Sequence, residues 1–250
     1  MGATSQERYA VVSCHVERPL DDNVWSRFSA LQDDRPGGFA VAALMRPADA
    51  SAGEDESQWL DRARQAAARG SFGHHTHWTA PDHARPTGGD PSELVRSEGM
   101  RLRDRGLTST LFCGGGWYTD LDVAEVCAEL GYVDCTPRAT RPPYLAHGEP
   151  WASLQSPGRV RLPSGRFLRV IPTTHSLGDV GRALRRRDGL PAVVHVYFHD
   201  TDLLDRRRRA MLRLLLPLLA RRAKPTDLDA LEREMLEDAP SVTWDDVARL

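Results

Sequence analysis

Along the first half of the chain, short runs of β-branched and aromatic residues alternate with longer stretches in which apolar residues recur every three or four positions. Residues 9–17 read as a strand and 23–31 as a helix. Residues 39–45 form a second strand, closed by Arg46-Pro47, and 54–69 a helix stopped by Gly70. The alternation continues with a strand over 71–78, a helix over 92–105 stopped by Gly106, a strand over 109–113 and a helix over 120–130 stopped by Gly131. Strand and helix in strict succession predict an α/β fold, a parallel sheet with helices outside it.

The pattern loosens beyond Tyr132. Residues 136–164, rich in Pro, Gly and Arg, read as a long loop crossing one face. Strand character returns at 167–171 and at 192–198, where Val-Val-His-Val-Tyr-Phe is almost entirely β-branched or aromatic. A leucine-rich stretch over 203–222 predicts a core-covering helix interrupted or kinked by Pro217, and the mixed, acidic residues 227–250 predict a last helix. No internal repeat or linker divides the chain, so the expectation is a single domain over 1–250, with its core at about 9–222 and a helical tail from 223.

Charge narrows the partners. With 33 basic against 35 acidic side chains, the chain carries no electrostatic footprint for nucleic acid or an anionic membrane. A neutral or small substrate fits better, and nothing in the sequence sets the oligomeric state. Residues 1–20 hold no apolar leader segment, and no stretch approaches the roughly 18 apolar residues of a membrane span, so a cytoplasmic location is expected. Cys14, Cys113, Cys127 and Cys135 lack Cys-x-x-Cys spacing and read as reduced, structural thiols.

Three clusters of ionisable residues fall where strands end. They are His15-Val16-Glu17, then Gly73-His74-His75-Thr76-His77-Trp78 with His83 nearby, and His195-Val-Tyr-Phe-His199-Asp200. Residues two apart on a strand share a face, so His15 and Glu17 can meet one ligand. In a βα architecture ligands collect at the carboxyl ends of strands, which brings the three clusters to one rim. Imidazoles with one carboxylate suit zinc, or another divalent ion that keeps an open position. Such an ion supports hydrolysis by acidifying water and polarising a carbonyl. His147 and His175, each standing alone, read as structural.

These motifs resemble those of the polysaccharide deacetylases of the NodB-homology class, over residues 9 to about 222. Val12-Ser-Cys-His15-Val-Glu17 looks like the family's acid pair in its spaced form, with Glu17 as metal carboxylate and His15 where the base aspartate stands. His75-Thr76 matches the start of the family's second motif. Thr79 stands where the second histidine would be, so His77 becomes the candidate second imidazole, with His74 and His83 as alternatives. Leu111-Phe-Cys-Gly-Gly-Gly-Trp-Tyr118 resembles the Arg-Pro-Pro-Tyr loop with Cys113 in the place of the arginine. A literal Arg141-Pro-Pro-Tyr144 follows too late in the chain. Val193 to Asp200 looks like the family's late strand, with His199 as general acid.

The resemblance implies an incomplete, distorted (β/α) barrel of about seven parallel strands and a hydrolase that removes an acetyl or similar acyl group from the nitrogen of an amino sugar. One divalent ion, zinc by its donors, would sit on Glu17, His75 and His77. His15 would act as base or as a third ligand, and His199, beside Asp200, as acid. Trp78, Trp117, Tyr118, Cys113, Gly115 and His195 would border the substrate, with backbone N–H groups of Gly114 to Gly116 as an oxyanion site. Two other readings remain: an amidase or deformylase-type hydrolase acting on a natural-product intermediate, and a catalytically inactive sugar-binding relative.

Overall fold

The computed structural model describes residues 7–186 and 189–250. Residues 1–6, the start of the segment read for a leader, and 187–188 lie outside the described residues. The first half follows the alternation: β1 (Tyr9–Val16), α1 (Asp22–Asp34), β2 (Val41–Met45), α2 (Glu56–Ala67), β3 (Phe72–Thr76), α3 (Pro91–Asp104), β4 (Leu111–Gly114), α4 (Leu121–Glu129) and β5 (Val133–Asp134). Each helix start has a local cause. Asp21, Asp55, Asp90 and Asp120 each accept backbone N–H groups of the first turn, satisfying donors that a helix leaves unpaired.

The second half contains β6 (Trp151–Ala152), β7 (Gly158–Arg161), β8 (Phe167–Val170), β9 (His175–Ser176), α5 (Leu177–Arg186), β10 (Val193–His199) and α6 (Arg206–Ala220). It ends with β11 (Lys224–Pro225), α7 (Leu228–Met235), β12 (Ser241–Thr243), α8 (Trp244–Val247) and β13 (Ala248–Arg249). Three expectations are corrected here. The stretch 136–164 is not one loop, because β6 and β7 lie within it. The tail is not one helix, because β12 joins the main sheet beside β7 while β13 pairs with β6. Helix α5 went unread, since Gly178 and Gly181 lower its intrinsic propensity. Pro217 lies inside α6 near its C-terminal end without ending it.

The main sheet runs β12-β7-β8-β5-β4-β3-β2-β1-β10-β9, with β11 paired to the start of β1. Only the β7–β8 pair is antiparallel within it. The ladder has two free ends and draws no closed barrel. Residues 171–174 nevertheless reach both arms: Thr173 N–H donates to Pro137 O (2.9 Å) and Thr174 N–H to His195 O (3.1 Å). No helix among the described residues is long and apolar enough to cross a membrane.

Strand alternation splits the apolar residues between two faces. Val12, Cys14, Ala43 and Val196 pack outward with Phe28, Trp59 and Leu216 of α1, α2 and α6. Phe112, Val123, Cys127 and Tyr132 form a second outer cluster under α3 and α4. The opposite face carries Val11, Ala42, Leu44, Leu111, Val133, Ile171 and Val193, a dry floor below the strand ends. Gly73 belongs to this face because β3 is squeezed there. A Cβ at Gly73 would stand 2.4 Å from Leu44 Cδ2 and 2.8 Å from Leu111 Cβ. Gly73→Ala is therefore expected to destabilise the fold by about 1–3 kcal/mol through overpacking. An unchanged denaturation midpoint in guanidinium would contradict this packing.

Candidate metal centre

Along β1, the inward positions read Tyr9, Val11, Ser13, His15 and, one residue past the strand, Glu17. Polarity thus rises toward the carboxyl end. Ser13 Oγ lies 2.8 Å from His195 Nε2 in a fully buried pair just above the apolar floor. Parallel pairing sets the next layer, because His15 is in register with His199 of β10, and His75 of β3 with Cys113 of β4. Side chains from four strands consequently meet at one end of the sheet.

The period of two also sorts the histidines of β3. His75 and His77 face the site. His74 faces outward, where its Nε2 lies 2.8 Å from Glu98 Oε2 and 2.9 Å from Thr76 Oγ1, with Tyr132 OH at 3.4 Å from its Nδ1. His83 pairs with Asp82 on an exposed loop. Of the candidates for the second imidazole, only His77 shares Glu17 with His75.

Two backbone carbonyls fix how those rings point. His75 Nδ1 lies 2.8 Å from Cys113 O and His77 Nδ1 2.7 Å from Pro81 O. A carbonyl can only accept, so each Nδ1 carries the proton and each Nε2 presents a lone pair. Both Nε2 atoms are buried and lack a hydrogen-bond partner. They face Glu17 Oε1, at 3.9 Å from His75 and 3.4 Å from His77, and His199 Nε2 lies 3.6 Å from the same oxygen. Burial pushes the His75 imidazole down.

His15 sits one layer deeper and is only 2% exposed. Its ring centroid is 4.6 Å from His75, 5.1 Å from Trp117, 5.2 Å from His199 and 5.5 Å from Tyr197, and its Nε2 is 3.7 Å from Cys113 Sγ. Desolvation, together with the neighbouring imidazoles, holds it well below the usual histidine range, hence neutral. Among the described residues two ligand sets are geometrically possible, Glu17–His75–His77 and His15–His75–Cys113, and both call on His75. The Cys113 thiol is pushed up by burial, so the second set would have to ionise a reluctant donor.

Several expected substrate contacts lie elsewhere. His195 is fully buried between Ser13 and Ile171 O, and Cys113 and Gly115 are buried too, so none of the three forms a surface a sugar could touch. Gly115 answers a packing need: a Cβ there would stand 2.5 Å from Thr76 O and 2.6 Å from Ala84 O. The Gly114 N–H donates to Thr136 Oγ1 at 2.7 Å, which removes one donor from the expected oxyanion site. Asp200 turns inward, accepting the Arg18 N–H at 2.8 Å, with its carboxyl pushed up to about 7 by burial. Trp78 and Tyr118 meet edge to face, and Trp78 borders a groove of ≈ 420 Å³ with Arg46, His77 and Glu98. A second groove, ≈ 610 Å³, exposes Glu17 and His77 beside Arg18, Asp82 and Thr201. Arg141 is exposed and bonds to Ala146 O, away from this cluster. Tyr197 and Arg138, unremarked in the sequence, border it through Trp117.

No family model matches the chain, and no curated protein matches it. Among solved structures, the 4-α-glucanotransferase of Thermococcus litoralis superimposes with a TM-score of 0.57 at 12% identity over 94% of this chain. The chain spans 40% of that protein's length. A second structure, described as a "putative polysaccharide deacetylase involved in O-antigen biosynthesis" from Bordetella bronchiseptica, gives a TM-score of 0.46 at 12% identity, covering 90% of this chain and 88% of its own. The likeness is one of fold.

Burial pushes His195 down to about 4, against about 6.5 for an unfolded histidine. The folded state therefore resists protonation, and stability tied to neutral His195 is full above pH 6.5 and is lost as pH falls toward 4. The stability advantage of the wild type over His195→Asn should shrink by up to about 3 kcal/mol across that window. Urea melts at several pH values test it, and a constant difference would refute the buried neutral imidazole.

Proposed function

We propose that this protein is a metal-dependent hydrolase that removes an acetyl or similar small acyl group from the amide nitrogen of a sugar-like molecule. The observation that carries the reading is the pair of buried, unpartnered Nε2 lone pairs of His75 and His77 converging on Glu17. Leaving two such groups unsatisfied costs about 1–3 kcal/mol each, and a cation on Glu17, His75 and His77 satisfies all three donors at once. The carbonyls of Cys113 and Pro81 play the orienting role that partners of metal-bound imidazoles play generally. Imidazole and carboxylate donors favour zinc.

The donor set fits such an ion, which when bound would supply Lewis acidity toward an acyl carbonyl. The protein's own groups divide the proton work. His15, kept neutral by burial, accepts a proton from the attacking water through an imidazole nitrogen. His199, partly exposed at the rim, delivers one to the departing amine nitrogen. Asp200, bonded to the Arg18 backbone, holds the turn that carries Glu17 against β10. An incomplete barrel is the architecture in which this reading is set, with its grooves around His77 and Glu17 receiving the substrate. A cytoplasmic small molecule is the substrate class proposed, and no nucleic acid or membrane partner enters.

Purified protein should bind about one divalent ion per chain, and exhaustive chelation should abolish hydrolysis of acetamido sugars, with zinc restoring it. His75→Ala and His77→Ala should lose the ion, whereas His175→Ala should keep it. Undiminished activity after chelation would refute the reading. A protein that binds the ion but hydrolyses no acylated amine would instead be a binding relative.

His15 separates base from ligand. As a base, its alanine variant keeps the full metal complement and loses roughly 10²–10⁴ in rate. Elemental analysis and kinetics on one preparation decide between the roles. An inactive, metal-free His15→Ala protein would make His15 a ligand, and an active, metal-loaded one would deny it both.

A further inference from the structure

Beyond the imidazole cluster, the end of the sheet holds a buried cation without a counter-charge. Arg138 follows β5 and is only 5% exposed. Its backbone is pinned: its N–H donates to Ala152 O (2.9 Å) and its carbonyl accepts from Leu154 N–H (3.1 Å). The guanidinium sits in the corner of two perpendicular rings, its Cζ 4.4 Å from the Trp117 centroid and 4.7 Å from that of Tyr197, the rings themselves meeting edge to face at 4.8 Å. Nε and Nη1 are buried and have no hydrogen-bond partner.

Among the described residues no carboxylate lies within ion-pair distance of Arg138. Glu149 is taken by Arg85, and Asp134 accepts the Thr136 N–H instead of meeting the guanidinium. A buried, unpaired guanidinium is unfavourable by several kcal/mol, and cation–π contact returns only about 1–2 kcal/mol per ring. Trp117 is also held at φ 58°, a left-handed conformation that a bulky residue adopts at a cost, with its ring in contact with the Arg138 guanidinium. Trp117 and Tyr197 touch His15 on their other sides. The cation is thus a single ring away from the proposed reaction site.

We propose that Arg138 is an anion-recognition residue and that the substrate carries a carboxylate on the same sugar ring as the acylated nitrogen, as in an acidic acetamido sugar. This rests on the hydrolase reading above. A carboxylate is preferred because it is planar and matches the donor fork of the guanidinium, whose Nε and Nη1 are left without partners. The oxyanion would satisfy the orphan N–H groups and neutralise the charge at a single step.

Binding is tested without turnover, using acetate as probe. Acetate should raise the melting temperature of the wild type above that in chloride at equal ionic strength, with and without the metal, and should leave Arg138→Met unaffected. In its ligand-free state Arg138→Met should melt at or above the wild-type temperature, since it replaces an unpaired buried charge by an apolar chain of similar length. With the metal-loaded enzyme, the uronic-acid form of N-acetylglucosamine should exceed N-acetylglucosamine by tenfold or more in kcat/KM. Arg138→Met should erase that preference mainly through KM, and Arg138→Lys should restore part of it. A melting temperature that falls by several degrees in Arg138→Met would make Arg138 a structural prop and overturn the proposal. So would an acetate effect that survives in Arg138→Met, or one that disappears on chelation and so belongs to the metal. If neither sugar is hydrolysed but acetate binds through Arg138, the hydrolase reading fails and the anion site stands.

Discussion

A parallel strand turns every second side chain to one face and brings the ends of its neighbours level with its own. Most of this molecule's chemistry follows from that constraint. On β1 the inward series runs from Tyr9 and Val11 through Ser13 to His15 and Glu17, so the same alternation that builds the dry floor delivers the polar rim. On β3 it separates His75 and His77 from His74, which pairs with Glu98 under α3. A slip of one residue in either strand would bury Glu17 among the outer helices and aim His74 at the site. Gly73, with no room for a Cβ against Leu111, helps fix that register on β3.

Orientation is a separate problem, solved by the backbone. Carbonyls of Cys113 and Pro81 hold the Nδ1–H groups of His75 and His77, and a ring so held offers its other nitrogen along one direction. One carbonyl belongs to a strand and the other to the loop after β3, so the two rings are fixed by elements distant in sequence. Thr136 performs a similar service for β4 by taking the Gly114 N–H. These fixed dipoles allow an open rim, with Glu17 and His199 partly exposed, to keep a defined geometry.

The first half of the fold was legible because strong signals agree there: aspartate caps, glycine stops and clean periodicity. Legibility falls after Tyr132, where strands other than β10 shrink to two to four residues and several pair with partners far along the chain. Two residues cannot show a period, so β6 and β12 had no signature. In the site, His15, Glu17, His75, His77 and His199 were readable from strand ends and spacing of two. Cys113, Gly115 and His195 were assigned to the substrate from motif position, although alternation gives only the face and not the depth. The structure buries all three. Arg138 escaped notice because it follows a strand too short to announce itself.

Depth orders the ionisable groups in energy as well as in space. His195 at the bottom has lost its capacity to charge near neutral pH, and His15, in the middle, is held neutral with it. Glu17 at the rim stays partly exposed, where a charge is tolerated. Scarce water keeps an imidazole unprotonated at the expense of its basicity, and a carboxylate that must hold a cation belongs where charge is tolerated. Arg138 breaks this order, being a permanent cation at a depth where burial drives His15 and His195 neutral. Its two aromatic neighbours soften that conflict without removing it, and only a negative group brought from outside would complete the arrangement.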